Sequence, residues 1–178
     1  MDKVLDIRFA EDNDKDCIKD IWRYCFGDTE AFVELFFDRK YRPQNTLCAC
    51  VDGNVVSDLQ LIPYTINLHG QAVPVDYIVG VATMPAHRGG GLVRKLMVEA
   101  LRNVRGKGHI ISVLMPFNFG FYRKFGWETC YAKKKYKLNM NDIAGLASHY
   151  GHMRAIDIST NVAVLRDIYM RFCVDKHG

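Results

Sequence analysis

Several chemical signatures are missing from this 178-residue chain. Its six cysteines, at 17, 25, 48, 50, 130 and 173, include no CxxC pair and no Cys/His cluster at zinc spacing, which excludes the common zinc modules. Its six histidines likewise fall at no metal-binding spacing, so no metal is expected. Buried reduced thiols then suit the cysteines best, and with them a reducing compartment. The opening "MDKVLDIRFAEDNDKD" is too charged for a signal peptide. No apolar run approaches the ~20 residues of a membrane helix, so no membrane partner and a cytoplasmic location are expected. The formal charge is only +4, milder than a nucleic-acid scaffold needs. Lys133 to Lys135 lack the interleaved aromatics of single-strand binders and read as a solvated face.

What is present is a chain that is 49% hydrophobic and 25% charged, enough for one globular core. Val4 to Ala10 alternates as a first strand. Ile18, Ile21, Trp22 and Cys25 fall at helical spacing up to Gly27, and Trp22 and Trp127 read as core. A second helix follows, with Asp28 as the expected N-cap and Ala31, Leu35 and Phe36 as its apolar face. From Asn45 to Thr83 the composition turns to Val, Ile, Leu and Thr, and "DGN" and "HGQ" read as tight turns among about four antiparallel strands. Leu92, Val93, Leu96, Met97, Ala100, Leu101 and Val104 define the clearest helix. His109 to Met115 reads as a buried strand, "NFGFYRKFGW" as a short helix, and Glu128 to Met140 as a final strand. "NVAVLRDIYMRF" is a terminal helix whose apolar face, Val162 to Phe172, points to packing on the sheet or on a second copy, and so to a homo-oligomer. Strand and helix do not alternate throughout, which favours a mixed α/β (α+β) sheet over a doubly wound parallel one.

The stretch "HRGGGLVRKLM" puts three glycines directly before the clearest helix. Free N–H groups at a helix start, together with the helix dipole, bind anions, and glycine lets a phosphate reach the backbone. Arg88, Arg94 and Lys95 add positive charge. No GK[ST] occurs, so this is not a Walker loop, and Arg94 stands where G-x-G-x-x-G needs its third glycine. What fits is [QR]-x-x-G, at Arg88, Gly89, Gly90 and Gly91.

With the preceding strand "YIVGVATMP", this stretch resembles the coenzyme A diphosphate motif of the GNAT acetyltransferases, [QR]-x-x-G-x-[GA], with Val93 in place of the last small residue. The longer string V-x-[TV]-x-P-x-H-R-x-x-G-L-[LV]-R-x-[LM]-M and the later "YRKFGW" resemble the Eis-type branch in order and spacing. The resemblance runs from about Val4 to Met140. It implies a GNAT fold, a mostly antiparallel twisted sheet with two splayed central parallel strands and flanking helices. It implies an acetyl-CoA-binding domain over residues 1–140 and a connecting segment and helix over 141–178. That segment would lead to domains absent from this chain, which is expected to be a fragment rather than a short relative.

The implied function is acetyl transfer from acetyl-CoA to a primary amine by direct attack. A small cationic amine such as an aminoglycoside is one acceptor, and an inactive coenzyme A-binding module is the competing reading. Val81, Ala82 and Thr83 would meet the pantetheine. Arg88, Gly89, Gly90, Gly91, Leu92, Val93 and Arg94 would wrap the diphosphate, and Phe117 and Asn118 would add a further contact. Tyr122 stands in the general-acid position. Phe26, Asp28 and Phe36 form the implied acceptor wall, and Asp28 and Asp76 are the candidate bases.

Overall fold

The computed structural model describes residues 4–132, 134–139, 141, 157 and 161–175. These fall into two compact units. One runs through Asn67 and from Gln71 to Glu128; the other joins Leu68–Gly70 to the described residues from Thr129 onward.

The first unit carries the sheet. Its strands are β1 (Leu5–Phe9), β2 (Thr46–Val51), β3 (Asn54–Leu68), β4 (Gln71–Thr83) and β5 (Ser112–Leu114), side by side in chain order. β1 to β3 pair antiparallel, while β4 and β5 run parallel. A parallel pair needs a crossover, and α3 (Leu92–Gly106) supplies it. The region from Asn45 to Thr83 holds three strands rather than about four, because β3 and β4 are long and only the two expected turns divide the region. Both expected turns form. Asp52 and Gly53 take φ of 50° and 83°, and His69 and Gly70 take 50° and 80°, the left-handed pair that matches strand twist in a two-residue hairpin.

Helices cover both faces. α1 (Lys15–Phe26) buries Ile18, Ile21 and Trp22 and stops at Gly27, which is left-handed at φ 64°. α2 (Glu30–Arg39) starts one residue later than the sequence suggests. Thr29, not Asp28, is the cap, and its hydroxyl accepts the Phe32 N–H. The buried face shifts with it, to Val33 and Phe37, leaving Ala31 and Leu35 exposed and Phe36 half-buried. Thr29→Ala is expected to cost about 1 kcal/mol, read as a lower urea midpoint.

α3 packs on the other face, burying Leu92, Leu96, Met97, Ala100 and Val104 against Leu47, Leu59 and Ile78. The strand expected from His109 to Met115 shrinks to Ser112–Leu114. α4 (Phe119–Arg123) is a single short turn of helix. In place of the final strand expected over Glu128 to Met140, the described residues there form no regular element. In the second unit α5 (Val162–Asp175) is helical as expected, with Val162, Leu165 and Ile168 exposed. Most of 141–160 lies outside the described residues. No described helix is long and apolar enough to cross a membrane.

Candidate active site

The parallel pairing of β4 and β5 is short. It runs from Asp76–Ser112 to Ile78–Leu114 and ends, while β4 continues to Thr83. The break coincides with a bulge. Ile78 and Val81 both pack on the α3 side, and Val79 and Ala82 both pack on the α1/α2 side. Strict alternation cannot produce that pattern, so one extra residue is inserted between them. Gly80 is that residue, at φ 67°. A Cβ there would lie 2.5 Å from Cζ3 of Trp22, so the indole rests directly on the glycine backbone. β4 therefore parts from β5 at a point fixed by α1.

The end of β4 is held from two sides. The Ser57 hydroxyl donates to the Ala82 carbonyl at 2.6 Å and pairs with the Thr83 hydroxyl at 2.7 Å. Arg88 folds back, with Nε donating to the Thr83 carbonyl at 2.9 Å and Nη2 meeting the Cys25 thiol at 3.7 Å. The Arg88 guanidinium thus anchors the loop to the strand.

Past it, Gly89 and Gly91 take φ of 81° and 75°, and a Cβ on either would meet nothing within 4 Å. Gly91 is the N-cap of α3, with no side chain capping the helix and no acidic residue in its first turn. Its leading N–H groups therefore face outward with the helix dipole behind them. A cavity beside Gly91 runs along α3 and is lined by Arg94, Lys95, Val98, Glu99 and Arg102 and by Ile7 of β1, with Arg102 paired to Glu99. The open helix end with Arg94 and Lys95 beside it suits an anion. Leu92 is buried and Val93 is half-buried against the α3 core, so the residue that departs from the [GA] position packs inward.

Tyr122 is 6% exposed on α4, within the same core as Leu92 and Ile78. Its ring meets Phe117 and Phe121 edge-on, at 5.7 and 5.1 Å. Burial pushes its phenol above the ordinary tyrosine value. Phe117 is 78% exposed, and Asn118 caps α4, its Oδ1 accepting the Phe121 N–H at 3.0 Å.

Phe26, Asp28 and Phe36, the residues expected to face the acceptor, lie around Trp22, which the sequence assigned to the core. Trp22 lies 4.8 Å from Phe26 and 4.5 Å from Phe36, and its Nε1 donates to Asp28 at 2.9 Å. Asp28, freed from capping α2, orients the indole instead. Glycine inside an apolar strand signals a bulge or a close approach, so "YIVGVAT" carried the sign of this contact.

Asp76 does not join this wall. It is fully buried where β4 and β5 still pair, with Lys107 Nζ at 3.0 Å and His109 Nδ1 at 2.8 Å. Val81 lies five residues farther along β4, about 16 Å at strand rise. Both Asp76 oxygens are committed, and its role is to tie the start of β5 to β4. Among the described residues no group of three could hold a metal.

Comparison with known proteins bears on the family and the fold. The model of the acetyltransferase (GNAT) domain family matches residues 6–130. An uncharacterized N-acetyltransferase of Streptomyces avermitilis is 27% identical over 86 residues, covering 48% of this chain and 21% of its own length. A GNAT family acetyltransferase from Brucella melitensis, solved in complex with acetyl-CoA, superposes with a TM-score of 0.58 at 24% identity, covering 71% of this chain and 84% of that one. Eis1 from Mycobacterium abscessus gives 0.60 at 20% identity, over 69% of this chain and 30% of its own. The chain thus spans about a fifth of the curated relative and under a third of Eis1. With the family model covering well over half of the residues, this chain belongs to the GNAT acetyltransferase family.

Proposed function

We propose that this chain transfers an acetyl group from acetyl-CoA to the primary amine of a small cationic acceptor. The observation that carries the proposal is the alignment of an uncapped, glycine-led α3 N-terminus with the stretch of β4 that has left β5. Arg88 to Arg94 would hold the diphosphate, and Phe117 and Asn118 would flank the coenzyme. Val81, Ala82 and Thr83 would bind pantetheine through their backbone. The amine attacks the thioester carbonyl, the oxyanion takes the Val81 N–H, and Tyr122 protonates the departing sulfur. Phe26 and Phe36, set by the buried Trp22 whose indole Asp28 holds, offer faces that suit a cation such as an aminoglycoside. Placement in the Eis-type branch rests on the two motifs together with the fold likeness to Eis1.

The test is thiol release from acetyl-CoA with a panel of polyamines and aminoglycosides. Release that depends on an amine supports the reading, and silence across the panel with coenzyme A still bound would leave a binding module. Arg94→Ala is expected to weaken acetyl-CoA binding about tenfold in calorimetry, with a smaller salt dependence than the parent.

A further inference from the structure

Three polar side chains are buried on the α1/α2 face of the sheet with atoms that have no hydrogen-bond partner among the described residues. These atoms are the Tyr41 hydroxyl, Asp58 Oδ1 and both amide atoms of Gln60. Asp58 and Gln60 are each 1% exposed and Tyr41 is 3% exposed. Asp58 and Gln60 stand two apart on β3, opposite Cys48 and Thr46 of β2, and so share one face. The titratable groups that act on Asp58, or are acted on by it, are the Cys17 thiol of α1, the Tyr41 hydroxyl beyond α2 and the Cys48 thiol of β2. Gly80, Ala82 and Thr83 of β4 bring no ionisable group. The nearby Arg8 is committed to Asp14, at 2.6 and 3.2 Å. A cluster of orphaned polar atoms at this depth is the kind of place that native proteins fill with internal water.

Its position matters. Gln60 Nε2 lies 3.4 Å from where a Cβ on Gly80 would stand, so through Gln60 the cluster reaches the β4 bulge. Trp22 covers the same glycine, stacks on Phe36 and meets Phe26 at a tilt. Of the carboxylates first considered as a base, Asp28 holds the Trp22 indole and Asp76 is committed to Lys107 and His109.

We infer that Asp58 is the proton acceptor for the attacking amine, reached through water that Gln60 and Tyr41 hold behind Gly80. The inference rests on the acetyltransferase reading above. The nitrogen forms its bond to the acetyl carbon, and the carbon–sulfur bond breaks with its electron pair on sulfur. The proton lost by nitrogen passes through the water to the Asp58 carboxylate, and the Tyr122 hydroxyl returns one to sulfur. Solvent then carries the Asp58 proton away and restores the phenol. Burial without a neighbouring cation holds the Asp58 carboxyl well above the usual carboxylate range. The carboxylate therefore forms only as the pH rises, and the rate rises with it.

Two measurements test this on the same protein: the pH profile of kcat/KM for the amine, and the infrared stretch of a protonated carboxyl across the same pH range. The expected result is a band that titrates with the ascending limb of the rate. In Asp58→Asn both should vanish, kcat/KM at the plateau should fall about 100-fold, and acetyl-CoA affinity should hold. Gln60→Leu should keep the band and lower kcat/KM about tenfold. An Asp58→Asn enzyme with the parental limb overturns the inference, as does a band that is absent or titrates apart from the limb. If Asp58→Asn does not fold, Gln60→Leu decides, and a parental rate there is equally fatal. Failure of the parent to bind acetyl-CoA sinks the enzyme reading itself, an outcome separable from a working enzyme whose limb ignores Asp58.

Discussion

Tyr122→Phe is expected to lower kcat by about 10²- to 10⁴-fold while acetyl-CoA affinity and the unfolding midpoint stay near the parental values. The contrast follows from what the side chain touches. Its ring is buried beside Leu92 and Ile78 and meets Phe117 and Phe121 edge-on, and phenylalanine keeps all of that packing. Only the hydroxyl is lost. A thiolate leaving group with a reference pKa of about 8.5 needs its proton as the carbon–sulfur bond breaks, and the phenol must still carry one at the working pH. Burial helps here, because it raises the Tyr122 pKa and keeps the group protonated. The sign is therefore definite. Activity should persist to pH values above the ordinary tyrosine value of about 10, and the descending limb assigned to this group should be missing in the phenylalanine enzyme. A variant that turns over at the parental rate would strip Tyr122 of the acid role and leave it as core.

The parts of the site that could be read from the sequence are those built by contiguous residues. Arg88 to Gly91 is one local piece, a loop that becomes a helix N-terminus, and its chemistry depends on backbone conformation that glycine spacing reports directly. The same holds for the two hairpin turns and for α3. Asp28 and Asp76 were misplaced for the opposite reason. A carboxylate ahead of a helix looks like a cap, but Trp22, from the previous helix, supplied a competing donor and Thr29 took the cap. The partners of Asp76, Lys107 and His109, lie about thirty residues away, across the α3 crossover. No local pattern marks such a pairing. The strand expected at His109 was overextended because an apolar run cannot show where two parallel strands part. At its far end the parting falls beside the bulge at Gly80, itself visible only as one glycine among apolar neighbours, and at its start His109 turns to Asp76 before pairing begins at Ser112.

Gly80→Ala should therefore do damage out of proportion to one methyl group. Two costs combine. At φ 67° an L-residue carries a backbone penalty of about 1–2 kcal/mol. The new Cβ would also fall 2.5 Å from Trp22 Cζ3, and overpacking of this kind costs about 1–3 kcal/mol. The expected loss of stability is the sum, about 2–5 kcal/mol, read as a lower urea midpoint with an unchanged slope. The indole has little freedom to yield, since Phe36 stacks on it, Phe26 packs against it at a tilt and Asp28 holds its N–H. Strain that the ring cannot absorb passes into β4, next to the Val81 N–H proposed for the oxyanion. The loss of kcat should thus exceed any change in acetyl-CoA affinity, because the Gly89–Gly91 cradle lies beyond the Arg88 anchor. Placing the same substitution in a Trp22→Leu background separates the two costs. The steric part should be relieved and the backbone part should remain, so that Gly80→Ala costs only about 1–2 kcal/mol in that background. Equal penalties in both backgrounds would mean that Trp22 does not set the bulge, and the link from the acceptor wall to the point where β4 leaves β5 would be lost.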